Sequence, residues 1–144
     1  MELIEALTPA ALFEPGHTLA APLLAAVEYP WEALAGIRGF LQALGPTLPA
    51  EEYDSPRPGV WVHKTAKVAP SAFLGEDVLI GPEAEIRHCA FIRGSALVGA
   101  GAVVGNSTEL KNVILFDKVQ VPHYNYVGDS IQGRSSSVRG YEVM

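Results

Sequence analysis

Between Val62 and Leu110 every sixth residue is aliphatic: Val62, Val68, Leu74, Ile80, Ile86, Ile92, Val98, Val104 and Leu110. Val, Leu and Ile make up 36 of the 144 residues, so nine in fixed phase arise by chance on the order of once in 10^5. Four residues after these positions come Ala66, Ala72, Val78, Ala84, Ala90, Ala96, Ala102 and Thr108, all small or β-branched. The period is neither the helical 3.6 nor a simple alternation, and six residues are too few for a helical hairpin. A short strand plus a turn fits. Turn formers fall between the inward positions, at Pro70-Ser71, Gly75-Glu76-Asp77, Gly81-Pro82, Gly94-Ser95, Gly99-Ala100-Gly101 and Gly105-Asn106-Ser107. Three hexads close a triangular coil, and stacked coils pair as parallel strands about 4.8 Å apart around a continuous aliphatic core.

With these hexads the chain resembles the hexapeptide-repeat acyltransferases. The resemblance implies an all-β fold, a left-handed parallel β-helix, assembled as a homotrimer. That hand is opposite to the usual right-handed crossover. After Leu110 the phase slips by one, giving Leu115, Val121 and Val127 inward with Val119 and Asn125 as small partners, so residues one coil apart then differ by 17 rather than 18. Beyond Asp129 the pattern fails. Polar Gln132 takes the next inward place, and Arg134-Ser135-Ser136-Ser137 offers no aliphatic row. Gly133 onward is expected to be a tail or a poorly formed last turn, packing only through Val138 or Tyr141.

Residues 1–58 lack the repeat and read as a short α-helical N-terminal cap and linker. A helical turn is expected from Thr8-Pro9 to Phe13, a second helix over Leu19 to Val27 in which Pro22 is a potential break, and a clearer one from Trp31 to Leu44. Leu34, Ile37, Leu41 and Leu44 share one face of the last helix, and Gly45-Pro46 stops it. A solenoid exposes an apolar end at its first coil, which these helices are expected to cover. The acidic, proline-containing stretch from Ala50 to Pro58 reads as a linker. The organisation is then 1–58 cap and linker, 59–132 β-helix and 133–144 irregular tail.

Composition narrows the partners. A net charge of −6 and a pI near 5.1 argue against general nucleic-acid or anionic-membrane binding, which needs a basic stripe. The single Cys89 excludes an intramolecular disulfide and fits a reducing compartment. No apolar run approaches the roughly 20 residues of a membrane span, and Met1-Glu2-Leu3-Ile4-Glu5 lacks the basic start of a signal peptide. A cytoplasmic location is expected.

The residue after each inward position reads His63, Ala69, Gly75, Gly81, Arg87, Arg93, Gly99, Gly105 and Lys111. Arg93 and Lys111 are 18 apart and so are expected to stack in adjacent coils. Two cations that close repel unless an anion sits between them, and a phosphate would serve. The competing reading is a solvated pair neutralised by Glu109 or Asp117. His123 follows Pro122 at a turn, has Tyr126 three residues on, and stacks over Asn106 at the 17-residue spacing, so both are expected to face the cleft of Arg93 and Lys111. The segment from Arg93 to Lys111, with Val121-Pro122-His123, Tyr126 and Gly128-Asp129, looks like the acetyltransferase domain of bacterial bifunctional N-acetylglucosamine-1-phosphate uridyltransferases and of archaeal sugar-phosphate nucleotidylyltransferases with the same appended β-helix. The ungapped match runs from about residue 90 to 129, under a third of the chain. It implies that Arg93, Lys111 and Tyr126 hold the phosphate of an amino-sugar phosphate and that His123 is the general base for transfer from acetyl-CoA; Asn106, by its stacking with His123, is expected to line the substrate site. An imidazole, titrating near pH 6.5, suits that task. The resemblance also implies further coils after Asp129, with an asparagine on the sugar and the surfaces that bind acetyl-CoA; Ser137 stands in the asparagine's place and those coils are absent.

Other constellations are weaker. Gly99-Ala100-Gly101 with Gly105 misses the dinucleotide spacing and lies in no βαβ unit. The glycine-rich loop of the nucleotidyltransferase is missing, which argues against uridylyl transfer. His88 and His123 lie two coils, roughly 10 Å, apart, too far to share one zinc, and no metal site is expected. Cys89 reads as a bystander with no evident base and orienter. A binding or scaffolding β-helix that keeps the sugar-phosphate cleft without the acetyl-CoA half is the alternative function.

Overall fold

A computed structural model describes residues 4–137. Parallel strands wind as a left-handed β-helix, with the N-terminal segment laid along its side. The short helices are α1 (Pro9–Leu12), α2 (Ala21–Ala25) and α3 (Ile37–Leu44). The strands follow as β1 (Tyr53–Arg57), β2 (Val60–His63), β3 (Lys67–Val68), β4 (Phe73–Ile80), β5 (Glu85–Ile86), β6 (Phe91–Val98), β7 (Val103–Val104), β8 (Glu109–Leu115), β9 (Gln120–Val121) and β10 (Tyr126–Gln132). They form a sheet in the order β1-β2-β4-β6-β8-β10 and a second in the order β3-β5-β7-β9.

The register is the hexad pattern made physical. Leu74 pairs with Ile92, Ile80 with Val98 and Ile86 with Val104, each 18 residues on. From Lys111 the interval drops to 17: Val98 pairs with Leu115, Val104 with Val121 and Leu110 with Val127. The corners are turned by residues at positive φ that are mostly not glycine, among them Asp77, Glu83, Cys89, Ser95, Ser107, Asn112, Lys118, Tyr124, Asp129 and Ser135. The ladders on either side hold each corner in a conformation that an isolated L-residue would disfavour. The five-residue corner recurs, from Ser107 to Asn112 and again from Tyr124 to Asp129.

Three expectations change here. The helices do not close the open first coil: α3 packs against β4, β6 and β8. Val62, Val68 and Leu74 of the first coil stay half-buried around a cavity of about 490 Å³ that Pro56, Arg57 and Ala72 also line. Physically, the strand triplets Val78-Leu79-Ile80, Ala96-Leu97-Val98 and Val113-Ile114-Leu115 are apolar on both sides, and all nine residues are buried. The outward members Leu79, Leu97 and Ile114 need a cover, and the apolar face of α3, with Ile37 and Leu41 buried, provides it. The stretch from Ala50 to Pro58 is not only a linker, because β1 pairs antiparallel with β2. As an edge strand it tolerates Pro56, and Gly59 at φ 80 turns the chain back. The helix expected over Trp31 to Leu44 divides into a 3-10 segment, Pro30–Gly36, followed by α3, while Pro22 sits in the first turn of α2, where a missing N–H costs nothing.

At the other end, residues 134–137 keep to the coil, as the expected last turn and not as a tail. Ser135 N–H donates to Asp117 O, Gln120 N–H donates to Ser136 O, and Gln120 bridges Ser137 in parallel. Gln132 does take the inward place above Leu115, and its buried Oε1 has no partner among the described residues. Val138 and Tyr141 lie outside the described residues. The Phe13 ring packs tilted against the buried Phe116 at 5.1 Å, and Asp117 N–H donates to His17 O, so the N-terminal segment also grips one corner.

Replacing Leu97 by Ala should cost about 2–5 kcal/mol in urea unfolding, the usual range for a buried leucine. Leu74→Ala should cost clearly less, since Leu74 is half-exposed at the open coil. Equal losses would mean that the N-terminal segment does not seal that face.

Candidate functional site

A groove of about 870 Å³ runs along the corner that tightens at the phase slip; its lining includes Arg38, Arg57, Asp77, Arg93, Lys111 and Asp129. The register break falls between Ile92 and Gly94, so Arg93 occupies the bulge and Lys111 pairs with Gly94. Arg93 is therefore not directly beneath Lys111, as an 18-residue interval would have put it. Both still line the one groove. On the next rung Gly128 pairs with Lys111, and Tyr126 pairs with Glu109. Residues two apart on a strand share a face, which puts Tyr126, Lys111 and Arg93 on the same sheet surface. A Cβ on Gly128 would lie 2.1 Å from the Tyr126 hydroxyl. The phenol thus lies over Gly128, beside Lys111, in space that any other residue would fill.

Arg93 and Lys111 each have a carboxylate. Arg93 Nη1 donates to Glu109 Oε2 at 3.2 Å, and Lys111 Nζ lies 3.8 Å from Asp129 Oδ2. Glu109 is thus a neutralising partner as the competing reading expected, whereas Asp117 is not: its Oδ1 accepts from Ala100 N–H. Two further cations come from outside the repeat. Arg38 of α3 forms an ion pair with the buried Asp77, its Nε 3.0 Å from Oδ2. Arg57 of β1 has no carboxylate partner among the described residues; its guanidinium lies 5.0 Å from the Phe73 ring centroid and donates to Leu74 O. Periodicity reveals neither residue, because only the docking of the N-terminal segment brings them to the groove.

His123 lies elsewhere, in the turn between β9 and β10. It does sit one coil above Asn106, with Tyr124 N–H donating to Asn106 O and the missing Cβ of Gly105 leaving room for His123 N. The His123 ring meets Tyr124 edge-on at 5.4 Å. His123, Asn106 and Tyr126 are not in the lining of the groove. Asn106 instead lines a separate groove with His88 and Arg87. One chain therefore gathers Arg93, Lys111 and Tyr126 at one corner and His123 with Asn106 at the next, and β10 runs from the second to the first. No group of His, Cys, Asp and Glu suited to a metal ion occurs among the described residues. On β1, outside the groove lining, burial, with Glu52 as a lesser cause, pushes the Tyr53 phenol above its ordinary value.

No family model matches the chain. Among curated proteins it is 30% identical over 108 residues to the bifunctional protein GlmU of Kineococcus radiotolerans, covering 60% of this chain and 22% of that protein. It is 33% identical over 113 residues to the GlmU of Nocardia farcinica, covering 76% and 22%. The chain thus spans about a fifth of the length of these relatives. Among solved structures it is similar to a perosamine N-acetyltransferase variant from Caulobacter crescentus in complex with CoA and GDP-perosamine, with a TM-score of 0.50 and 24% identity over 57% of this chain and 49% of that one. That likeness concerns the fold. Fold and sequence together define the class, a hexapeptide-repeat β-helix resembling the hexapeptide-repeat acyltransferases. Within that class the relatives found by sequence are bifunctional GlmU proteins. No helix among the described residues is long and apolar enough to cross a membrane.

Proposed function

We propose that this chain is an acyltransferase-like protein acting on an amino-sugar phosphate or a nucleotide sugar, with acetyl-CoA as cosubstrate. The observation that carries the reading is the convergence of Arg93, Lys111 and the Tyr126 hydroxyl on one sheet surface. A guanidinium fork, an ammonium and a phenolic O–H are complementary to a phosphate. Phosphate oxygens would take over the donors now directed at Glu109 and Asp129. A ligand lying along β10 has its phosphate end at Lys111 and its other end toward the turn of His123. There His123 would accept the proton of the sugar amine as that nitrogen attacks the thioester carbonyl, and would pass it to the sulfur as the C–S bond breaks, so that CoA leaves as the thiol. Asn106 beside it would hold the sugar. The likeness to GlmU proteins, and to a structure holding CoA and a nucleotide sugar, supports this reading.

The second reading is a non-catalytic β-helix that binds sugar phosphates, and it is favoured by the separation of His123 and Asn106 from the groove that Arg93 and Lys111 line. Calorimetric titration with acetyl-CoA, with and without glucosamine 1-phosphate, separates the two: the transferase binds both ligands, and the binding module takes the sugar phosphate alone.

Lys111→Met should weaken glucosamine 1-phosphate binding by roughly 1.5–3 kcal/mol, the usual size of a hydrogen bond to a charged group, with thermal unfolding little changed. Unaltered affinity removes the phosphate reading. His123→Ala should lower the acetyl-transfer rate by about 10^2 to 10^4 while sparing sugar-phosphate binding. A variant as active as the parent excludes His123 as the base. A homotrimer with its axis along the β-helix is the assembly inferred, and sedimentation equilibrium should return a mass near three chains. A monodisperse monomer at micromolar concentration would rule it out.

A further inference from the structure

The corner between β5 and β6 carries a second set of reactive side chains, away from the groove. Cys89 is exposed and turns the chain at φ 58. Its Sγ lies 3.3 Å from His88 Nε2, and His88 Nδ1 lies 2.6 Å from Ser71 Oγ. The same Ser71 Oγ accepts the Cys89 N–H at 3.0 Å. The expectation that Cys89 has no base and no orienter is therefore overturned. Its base is the preceding residue, and its orienter is a serine one coil below that only the stacking of coils brings near.

We propose that Cys89, His88 and Ser71 form a reactive-thiol site that exchanges with small disulfides. A thiol is nucleophilic as the thiolate. Transfer of the Sγ proton to His88 Nε2 gives a thiolate beside an imidazolium, and this corner satisfies both ring donors of that imidazolium. Nε2–H points at Sγ, and Nδ1–H points at Ser71 Oγ, whose other lone pair holds the Cys89 N–H. Ser71 thus fixes the ring in the orientation that keeps Nε2 on the sulfur. The thiolate attacks one sulfur of R–S–S–R; the Cys89–S–S–R bond forms, the original S–S bond breaks, and the departing thiolate takes the proton from His88. The sequence contains no second cysteine to resolve the product. The mixed disulfide therefore persists until an external thiol removes it, on the corner that carries Asn106 and His123 in later coils.

The test is the rate at which dithiobis-nitrobenzoate releases its coloured thiolate at pH 7. Folded wild type should react about tenfold faster than the same protein unfolded in urea, in keeping with the gain from a neighbouring histidine. His88→Gln should remove most of that advantage, Ser71→Ala part of it, and Cys89→Ser should abolish the reaction. Oxidised glutathione should give one adduct per chain by mass spectrometry. Folded wild type reacting no faster than unfolded, or rates unchanged in both His88→Gln and Ser71→Ala, would overturn the proposal. The unfolded reference and Ser71→Ala keep it falsifiable if His88→Gln perturbs the corner.

Discussion

Everything in this molecule depends on one coil serving as the hydrogen-bonding partner of the next. In the body of the stack an inward residue such as Val98 is enclosed by Ile80 below and Leu115 above, and is fully buried. The same stacking binds N–H and C=O groups that a short strand could not satisfy alone. It also imposes the corner conformations, since ten non-glycine residues among those described take positive φ. The ladder thus overrides a local preference repeatedly, which is possible because each corner is clamped between two paired strands.

The part of the fold legible in the sequence is the part that repeats. Nine aliphatic positions in phase give the coil, and the slip after Leu110 gives the 17-residue interval that β8 and β10 adopt. The N-terminal segment lies along the side of the coils and not over the first coil, where it was expected, although the sequence carries a signal for that side. Val78-Leu79-Ile80, Ala96-Leu97-Val98 and Val113-Ile114-Leu115 are apolar triplets, whereas Phe91-Ile92-Arg93 and Glu109-Leu110-Lys111 are not. A strand apolar on both sides must be covered on both. The triplets therefore mark the face that α3 occupies, and the end of the first coil carries no such mark.

The candidate site divides in the same way. Arg93, Lys111 and Tyr126 lie on repeating positions, so their convergence follows from the period, while the bulge at Arg93 requires knowing at which residue the shorter coil begins. Arg38 and Arg57 belong to no repeat and are invisible to it. For Cys89, the 18 residues from Ser71 are one coil, so the serine beneath it was within reach of the same arithmetic. The hydrogen bond from Ser71 to His88 depends on side-chain rotamers at a corner, which no periodicity encodes.

The groove cations are held rather than loose. Arg38, Arg93 and Lys111 each engage a carboxylate, and Arg57 is fixed over Phe73. At exposed positions such ion pairs contribute little to stability, about 0–1 kcal/mol each, so a phosphate bound as proposed would give up little by displacing Glu109 or Asp129. In return it would meet donors on a rigid ladder whose orientation was set during folding. Arg38 differs from the pair on β6 and β8, because its partner Asp77 is buried and is also approached by Gln42. Withdrawing Arg38 would strand a buried carboxylate, which is costly. The physical division of labour is then that Arg38 anchors α3 to the corner, and the exposed cations of β6 and β8 remain exchangeable.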